Sequence, residues 1–385
     1  MFGVYVYSFH RIRTPRDVVA ALSTLSLPLL DDRCRRANAT HLQCLPNVFF
    51  IGASKSGTTS ITEYLSLHPH VHFVRRRIFP DRHREVHRFD RNTYHLALKG
   101  IELLDEWASC PLVESAADAV IHYTPHYLYA PSVPFELAAL YPRPETLKFI
   151  VVLREPSARA ISSYWFQNSH LFHVRDRGST AELAELAARE VRDRQGYDAC
   201  MAGADAEAGT EAEAEGGGNW ATSAAAWLVS QLDPFPLLTT RRPPLGAARP
   251  TSPLFARLRR CFGKLFRSPQ LGGRHLDKGV YADQLARWFS QFPRGNFFIT
   301  STERFFGGPD EYARLLRFIG AEAADWPGTE ALAALLTRNS SAARLVAPNA
   351  LARLDPPTAE LRATLAAFFR PHNQRLRDLG IDLFA

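Results

Sequence analysis

The 385-residue sequence lacks the signatures of several large functional classes. Its five cysteines, Cys34, Cys44, Cys110, Cys200 and Cys261, never form a Cys-x-x-Cys pair, which argues against zinc and thioredoxin-type chemistry. The apolar run Val18–Leu30 is thirteen residues long, too short to cross a bilayer as a helix. Zinc-ligand spacing, an RNA-recognition aromatic signature and basic heptads are all missing, so no nucleic-acid module is expected. Acidic residues are in deficit, 39 against 46 basic, and the resulting charge of +7 suits an anionic ligand. No internal repeat is present.

What is present is a chain with 46% hydrophobic residues and alternating strand and helix patterns. Short β-branched and aromatic runs predict strands over Val48–Ile51, Val71–Val74, Ala119–Tyr123, Leu147–Leu153 and Asn296–Ser301. Helices are predicted over Thr58–Leu67, Thr93–Leu104, Phe135–Leu140, Pro156–Asn168, Val280–Gln291, Pro309–Ile319 and Pro357–Leu379. Such alternation implies an α/β fold, a mainly parallel central sheet with helices on both faces, binding ligands at the strands' carboxyl ends. Residues 1–46 read as an N-terminal segment and 47–385 as one domain, with an insertion at about 175–274. The insertion carries a predicted helix at Thr180–Arg194 and an acidic low-complexity stretch, Ala202–Gly218, expected to be disordered or a flexible loop.

Arg11, Arg13 and Arg16 precede the Val18 run, an order compatible with a signal sequence or truncated anchor, a transit peptide, or an amphipathic first helix. Sequons at Asn38 and Asn339 are usable only in the secretory lumen. Two pairings, Cys34 with Cys44 and Cys200 with Cys261, stand against buried free thiols as the alternative, and the odd count leaves one thiol over.

Val48–Pro69, VFFIGASKSGTTSITEYLSLHP, reads as a buried strand, a glycine-framed loop and a helix. The loop's backbone N–H groups and those of the helix's first turn converge on one point, a cradle for phosphate or sulfate. Lys55 adds charge, and Thr58 and Thr59 add hydroxyls. A triphosphate P-loop has its lysine directly after the second glycine; here Thr58 takes that place and Lys55 lies inside the loop. The string resembles the 5′-phosphosulfate loop of sulfotransferases that use 3′-phosphoadenosine 5′-phosphosulfate (PAPS). That resemblance implies that Lys55, Ser56, Gly57, Thr58 and Thr59 bind the donor.

A second string, LKFIVVLREPSARAISSYWF from Leu147 to Phe166, resembles the 3′-phosphate element of the same enzymes. The resemblance assigns Arg154 and Ser162 to the 3′-phosphate, chemistry that suits a guanidinium fork and a hydroxyl. REVHRFD, Arg84–Asp90, resembles a segment of Golgi glycosaminoglycan sulfotransferases, the heparan 3-O group especially. It implies Glu85 as catalytic base and His87 in acceptor positioning or proton handling; a surface salt bridge of Glu85 with Arg84 or Arg88 is the alternative. Arg75–Arg91 reads as an active-site rim. Gly279–Phe305 and Phe368–Gly380 extend the resemblance; Leu285 and Trp288 have core spacing, and Tyr281 fits core or sugar contact.

Departures bear on the acceptor. His122, Tyr123, Thr124 and Pro125 stand where heparan enzymes carry a Glu-Lys-Ser/Thr-Pro run, so the lysine expected there is replaced by Tyr123. Arg338–Pro357 stands in place of their cysteine-bounded Lys-Gly-Arg loop. A pair like Cys200 and Cys261 is closer to the chondroitin-type N-acetylgalactosamine 4-sulfate 6-O-sulfotransferases. The expectation is therefore a metal-independent, PAPS-dependent Golgi carbohydrate sulfotransferase releasing 3′,5′-ADP, with a glycosaminoglycan-like acceptor and membrane contact only through an N-terminal anchor. The rival readings are a catalytically impaired carbohydrate-binding relative and a P-loop nucleotide kinase.

Overall fold

A computed structural model describes residues 33–74, 85–90, 109–141, 143–170, 179–211, 261, 274–321 and 357–384. Five parallel strands form its centre: β3 (Val48–Gly52), β4 (Val71–Phe73), β6 (Ala119–Tyr123), β7 (Lys148–Leu153) and β8 (Phe297–Ser301), in the order β4-β6-β3-β7-β8. Every residue of β3 and β6 is buried, as a parallel strand covered on both faces requires. Side chains alternate between two cores. Phe49, Ile51, Phe149 and Val151 join Trp288 and Phe297 on one face, while Val48, Phe50, Ile150 and Val152 pack with Ile61, Leu315 and Ile319 on the other. Trp288 is fully buried and donates its indole N–H to the Leu128 carbonyl at 3.4 Å, so it is a core residue as its spacing predicts.

Six helices connect or cover these strands: α1 (Thr58–Leu65), α2 (Val133–Leu140), α3 (Pro156–His170), α5 (Tyr281–Phe289), α7 (Pro309–Ile319) and α8 (Ala359–Asp378), with a short α6 (Thr302–Phe306) after β8. The predicted helix at Thr93–Leu104 lies outside the described residues. Both neighbours of β3 come later in the chain, so the sequence crosses over beside it. The carboxyl ends of β3, β6 and β7 thus flank one crevice, where open α/β sheets bind ligands.

Two features differ from the sequence expectations. First, β1 (Cys34–Arg36), β2 (Leu42–Cys44) and β5 (Leu112–Val113) make a small antiparallel sheet. Strands of two or three residues leave no periodicity to read. Cys34 and Cys44 face each other across its first hairpin and are disulfide-bonded. Second, α4 runs from Thr180 to Glu211, so Ala202–Glu211 is helical rather than disordered. Alanine and glutamate are strong helix formers, and low complexity obscured that propensity. A second disulfide joins Cys200 on α4 to Cys261, and Cys110 lies outside both bridges, buried.

Helix α4 is fixed to the body through polar contacts. The buried Glu190 carboxylate accepts the backbone N–H groups of His275 (2.8 Å) and Leu276 (2.7 Å). Arg194 binds Asp277 at 2.9 Å and Asp198 at 2.8 Å, and also reaches Asp283. No described helix is long and apolar enough to cross a membrane.

Candidate active site

The loop from Gly52 to Gly57 leaves the carboxyl end of β3 and turns into α1. Gly57 caps that helix at φ 76°, a left-handed conformation that favours glycine, and a Cβ there would lie 2.6 Å from the Phe306 ring. Gly52 permits another close approach, since a Cβ there would lie 2.7 Å from Leu128 Cβ. The loop is braced from three sides. Thr302 at the start of α6 donates to the Ser56 carbonyl at 3.1 Å, and Arg154, leaving β7, donates to the Lys55 carbonyl at 3.3 Å. Fully buried Arg159 on α3 donates to the Ser54 carbonyl at 3.4 Å, and its other terminal nitrogen reaches the His275 carbonyl.

Three cations therefore meet at one loop. Lys55 also has a left-handed backbone (φ 71°), and its ammonium rests 3.7 Å from the Phe166 ring centroid. Burial, then the charges of Arg154 and Arg159, push the Lys55 pKa down to about 8, with the Glu85 charge opposing them. Ser56 is fully buried, Thr59 is exposed, and Ser162 is half-buried on α3. Thr58 is buried, and its hydroxyl hydrogen-bonds the Tyr123 hydroxyl at 2.9 Å. The residue standing in place of the expected lysine thus orients a loop hydroxyl. Tyr281 is buried and donates to the Arg154 carbonyl at 2.9 Å, which makes it a brace within the core rather than a sugar contact.

Residues Glu85–Asp90 lie across the carboxyl end of β6. Val86 N–H donates to the Tyr123 carbonyl and His87 N–H to the Thr124 hydroxyl, each at 3.0 Å. The Tyr127 hydroxyl accepts the N–H groups of Arg88 (2.8 Å) and Phe89 (2.9 Å). His87, at φ 52°, is clasped between two carboxylates: Nε2 is 2.7 Å from Glu85 Oε2 and Nδ1 is 2.7 Å from Asp90 Oδ2. Glu85 thus pairs with His87 rather than with Arg88, which turns inward to the Ser109 hydroxyl. Burial alone would lower the His87 pKa, but the hydrogen bonds and charges of Asp90 and Glu85 outweigh it and raise the value to about 9. Buried Asp90 is held well below the usual carboxylate range: burial opposes ionisation, but donors from His126 and His87 prevail.

The structure brings Lys55 and Glu85 within electrostatic reach, with Arg154 bonded to the Lys55 backbone. Arg159, Asp90, Thr302 and His126 join this site without having been singled out. Arg159, Asp90 and Thr302 each lie inside a string that carries the resemblance; His126 lies outside all of them and has no local signal. Residues 75–84 and 91 of the expected rim lie outside the described residues. Among the described residues no cluster of three or more His, Cys, Asp or Glu side chains could hold a metal.

A parallel α/β sheet with an anion cradle beside a carboxylate–histidine pair places the molecule in the P-loop-like class. Comparison with known proteins narrows it. Residues 45–235 match the sulfotransferase domain family. Over 126 residues it is 32% identical to a mouse bifunctional heparan sulfate N-deacetylase/N-sulfotransferase 4, an alignment covering 33% of this chain and 13% of that protein. Over 124 residues it is 32% identical to a mouse heparan sulfate glucosamine 3-O-sulfotransferase 5, covering 32% of this chain and 31% of the relative. The chain thus spans less than a third of the length of these relatives. A crystal structure of a sulfotransferase from Alicyclobacillus acidocaldarius aligns with 88% of this chain and 97% of its own, at 20% identity and a TM-score of 0.47.

Proposed function

We propose that this protein transfers a sulfuryl group from PAPS to a hydroxyl or amine of a carbohydrate, a glycosaminoglycan-like polysaccharide, in the lumen of the Golgi or secretory pathway. The observation that carries this reading is the convergence of Lys55, Arg154 and Arg159 on one glycine-framed loop, with Glu85, paired to His87, within electrostatic reach of Lys55. Cations that repel one another at a loop leading into the N-terminus of α1 fit an anion as large as a phosphosulfate. The names of the relatives and two disulfides, usual in an oxidising compartment, support the acceptor class and the location.

Lys55, Ser56, Gly57, Thr58 and Thr59 hold the 5′ end of the donor, and Arg154 and Ser162 its 3′-phosphate. PAPS supplies an activated sulfuryl group: the acceptor forms an S–O or S–N bond as the sulfur–oxygen bond to the 5′-phosphate breaks, and 3′,5′-ADP leaves. Glu85 takes the acceptor's proton, and His87, itself fixed by Asp90, holds the Glu85 carboxylate in place. Lys55 offsets the charge that builds on the departing oxygen.

Transfer of labelled sulfate from PAPS onto a panel of glycans tests the reading, with a glycosaminoglycan chain as the expected acceptor. In a thermal-shift assay 3′,5′-ADP should stabilise the protein and ATP should not; the reverse would assign it to the nucleotide kinases. Glu85→Gln should bind 3′,5′-ADP normally and lose about 10²–10⁴-fold in kcat. Unchanged turnover in that variant removes Glu85 as the base.

A further inference from the structure

Asp90 Oδ2 serves two imidazoles. Besides His87 Nδ1 at 2.7 Å it is 3.2 Å from Nδ1 of His126, a residue 36 positions further along the chain. The His126 side chain is 13% exposed, with the Tyr129 ring edge-on at 5.5 Å between centroids. Its Nε2 is buried and has no hydrogen-bond partner among the described residues. Those contacts define the ring's state. Nδ1 carries the proton and donates it to Asp90, while protonation at Nε2 would create a buried, unpaired cationic donor. The charged groups facing the ring are Asp90, His87 and Lys278; burial and the Lys278 charge both lower the His126 pKa, with Asp90 opposing.

We propose that His126 is a positioning residue: it shares Asp90 with His87 and so sets how strongly His87 holds its proton against Glu85. This rests on the reading of Glu85 as the base. A carboxylate oxygen that accepts a second N–H has less charge to offer the first donor. With His126 neutral and donating, His87 stays tethered to Asp90 without taking its full charge. Without that N–H, the His87 imidazolium is stabilised further, grips Glu85 more tightly and leaves it a poorer base.

The test uses the full chain and three variants. His126→Phe keeps a ring against Tyr129 and removes the N–H; His126→Asn keeps an N–H near the Nδ1 position; His126→Ala removes the ring without adding volume, should Phe unfold the protein. The first readout, independent of turnover, is the NMR titration of the His87 ring. Its midpoint should rise by about half a unit or more in His126→Phe or His126→Ala and return toward wild type in His126→Asn. The second is sulfate transfer, where kcat should fall about tenfold in the same two variants with KM for PAPS unchanged. An unshifted His87 midpoint in folded His126→Phe or His126→Ala overturns the proposal, as does His126→Asn behaving like them. Wild-type turnover in Glu85→Gln refutes only the base assignment, because the titration still reports the coupling.

Discussion

Lys55 is held between charge and burial. Its ammonium lies on an aromatic face, flanked by Arg154 and Arg159, and loses its proton near pH 8 rather than near 10. A bound polyanion reverses that balance, because the anion stabilises the protonated amine; by linkage the protonated form binds the anion more tightly. The value of kcat/KM for PAPS should therefore be level below pH 8 and fall up to about tenfold per pH unit above it. Arginine retains its charge throughout this range, so Lys55→Arg should abolish that limb even where its absolute rate is lower. A limb that survives in Lys55→Arg assigns the titration to another group. The Thr58–Tyr123 hydroxyl pair works at the same scale without charge, since it orients a loop hydroxyl.

At the scale of elements, α4 reaches the cradle by a chain of hydrogen bonds. Glu190 holds the backbone at His275 and Leu276, the His275 carbonyl accepts from Arg159, and Arg159 holds the Ser54 carbonyl. Glu190→Ala strands two backbone donors, each costing about 1–3 kcal/mol when buried and unpaired. That variant should unfold at lower urea and bind 3′,5′-ADP more weakly in calorimetry; loss of stability with unaltered binding would break the link to the loop. The two disulfides differ by span, 10 residues for Cys34–Cys44 and 61 for Cys200–Cys261. Chain entropy then assigns about 3 kcal/mol to the first and about 4 kcal/mol to the second. What could be read from sequence follows the same divide between local and distant. Phe149–Leu153 announces a buried strand because covering both faces demands an unbroken apolar run, and Lys55, Arg154 and Glu85 are legible because their contexts are contiguous. The end of α4 was obscured by composition, β1, β2 and β5 by brevity, and the Asp90–His126 pair by the 36 residues between its members.

At the scale of the whole molecule, buried titrations decide where in pH the fold is most secure. His275 and His372 are kept neutral, the first lowered to about 3 by burial and the charges of Arg159 and Lys278, the second to about 4 by burial and Arg194 and Arg375. An unfolded chain protonates both near 6.5, so between 6.5 and 4 the unfolded state binds more protons and stability falls as pH falls. The pair contributes up to about 2.7 kcal/mol per pH unit. His68 and His126, also lowered, act in the same direction, while Glu190, raised by burial, opposes them in the lower part of that window. His87 has the opposite sign. Its folded pKa is raised to about 9, so its contribution is complete below 6.5 and is lost as pH rises toward 9. Lys55 and Lys278, lowered to about 8, bend the curve upward again above 8. Between pH 5 and 8 urea midpoints should therefore peak near 6.5, with the acid side steeper than the alkaline side. His372→Gln should flatten the acid side and His87→Gln the alkaline side. Midpoints that climb steadily through pH 8 in the wild-type protein would contradict the proton held between Glu85 and Asp90.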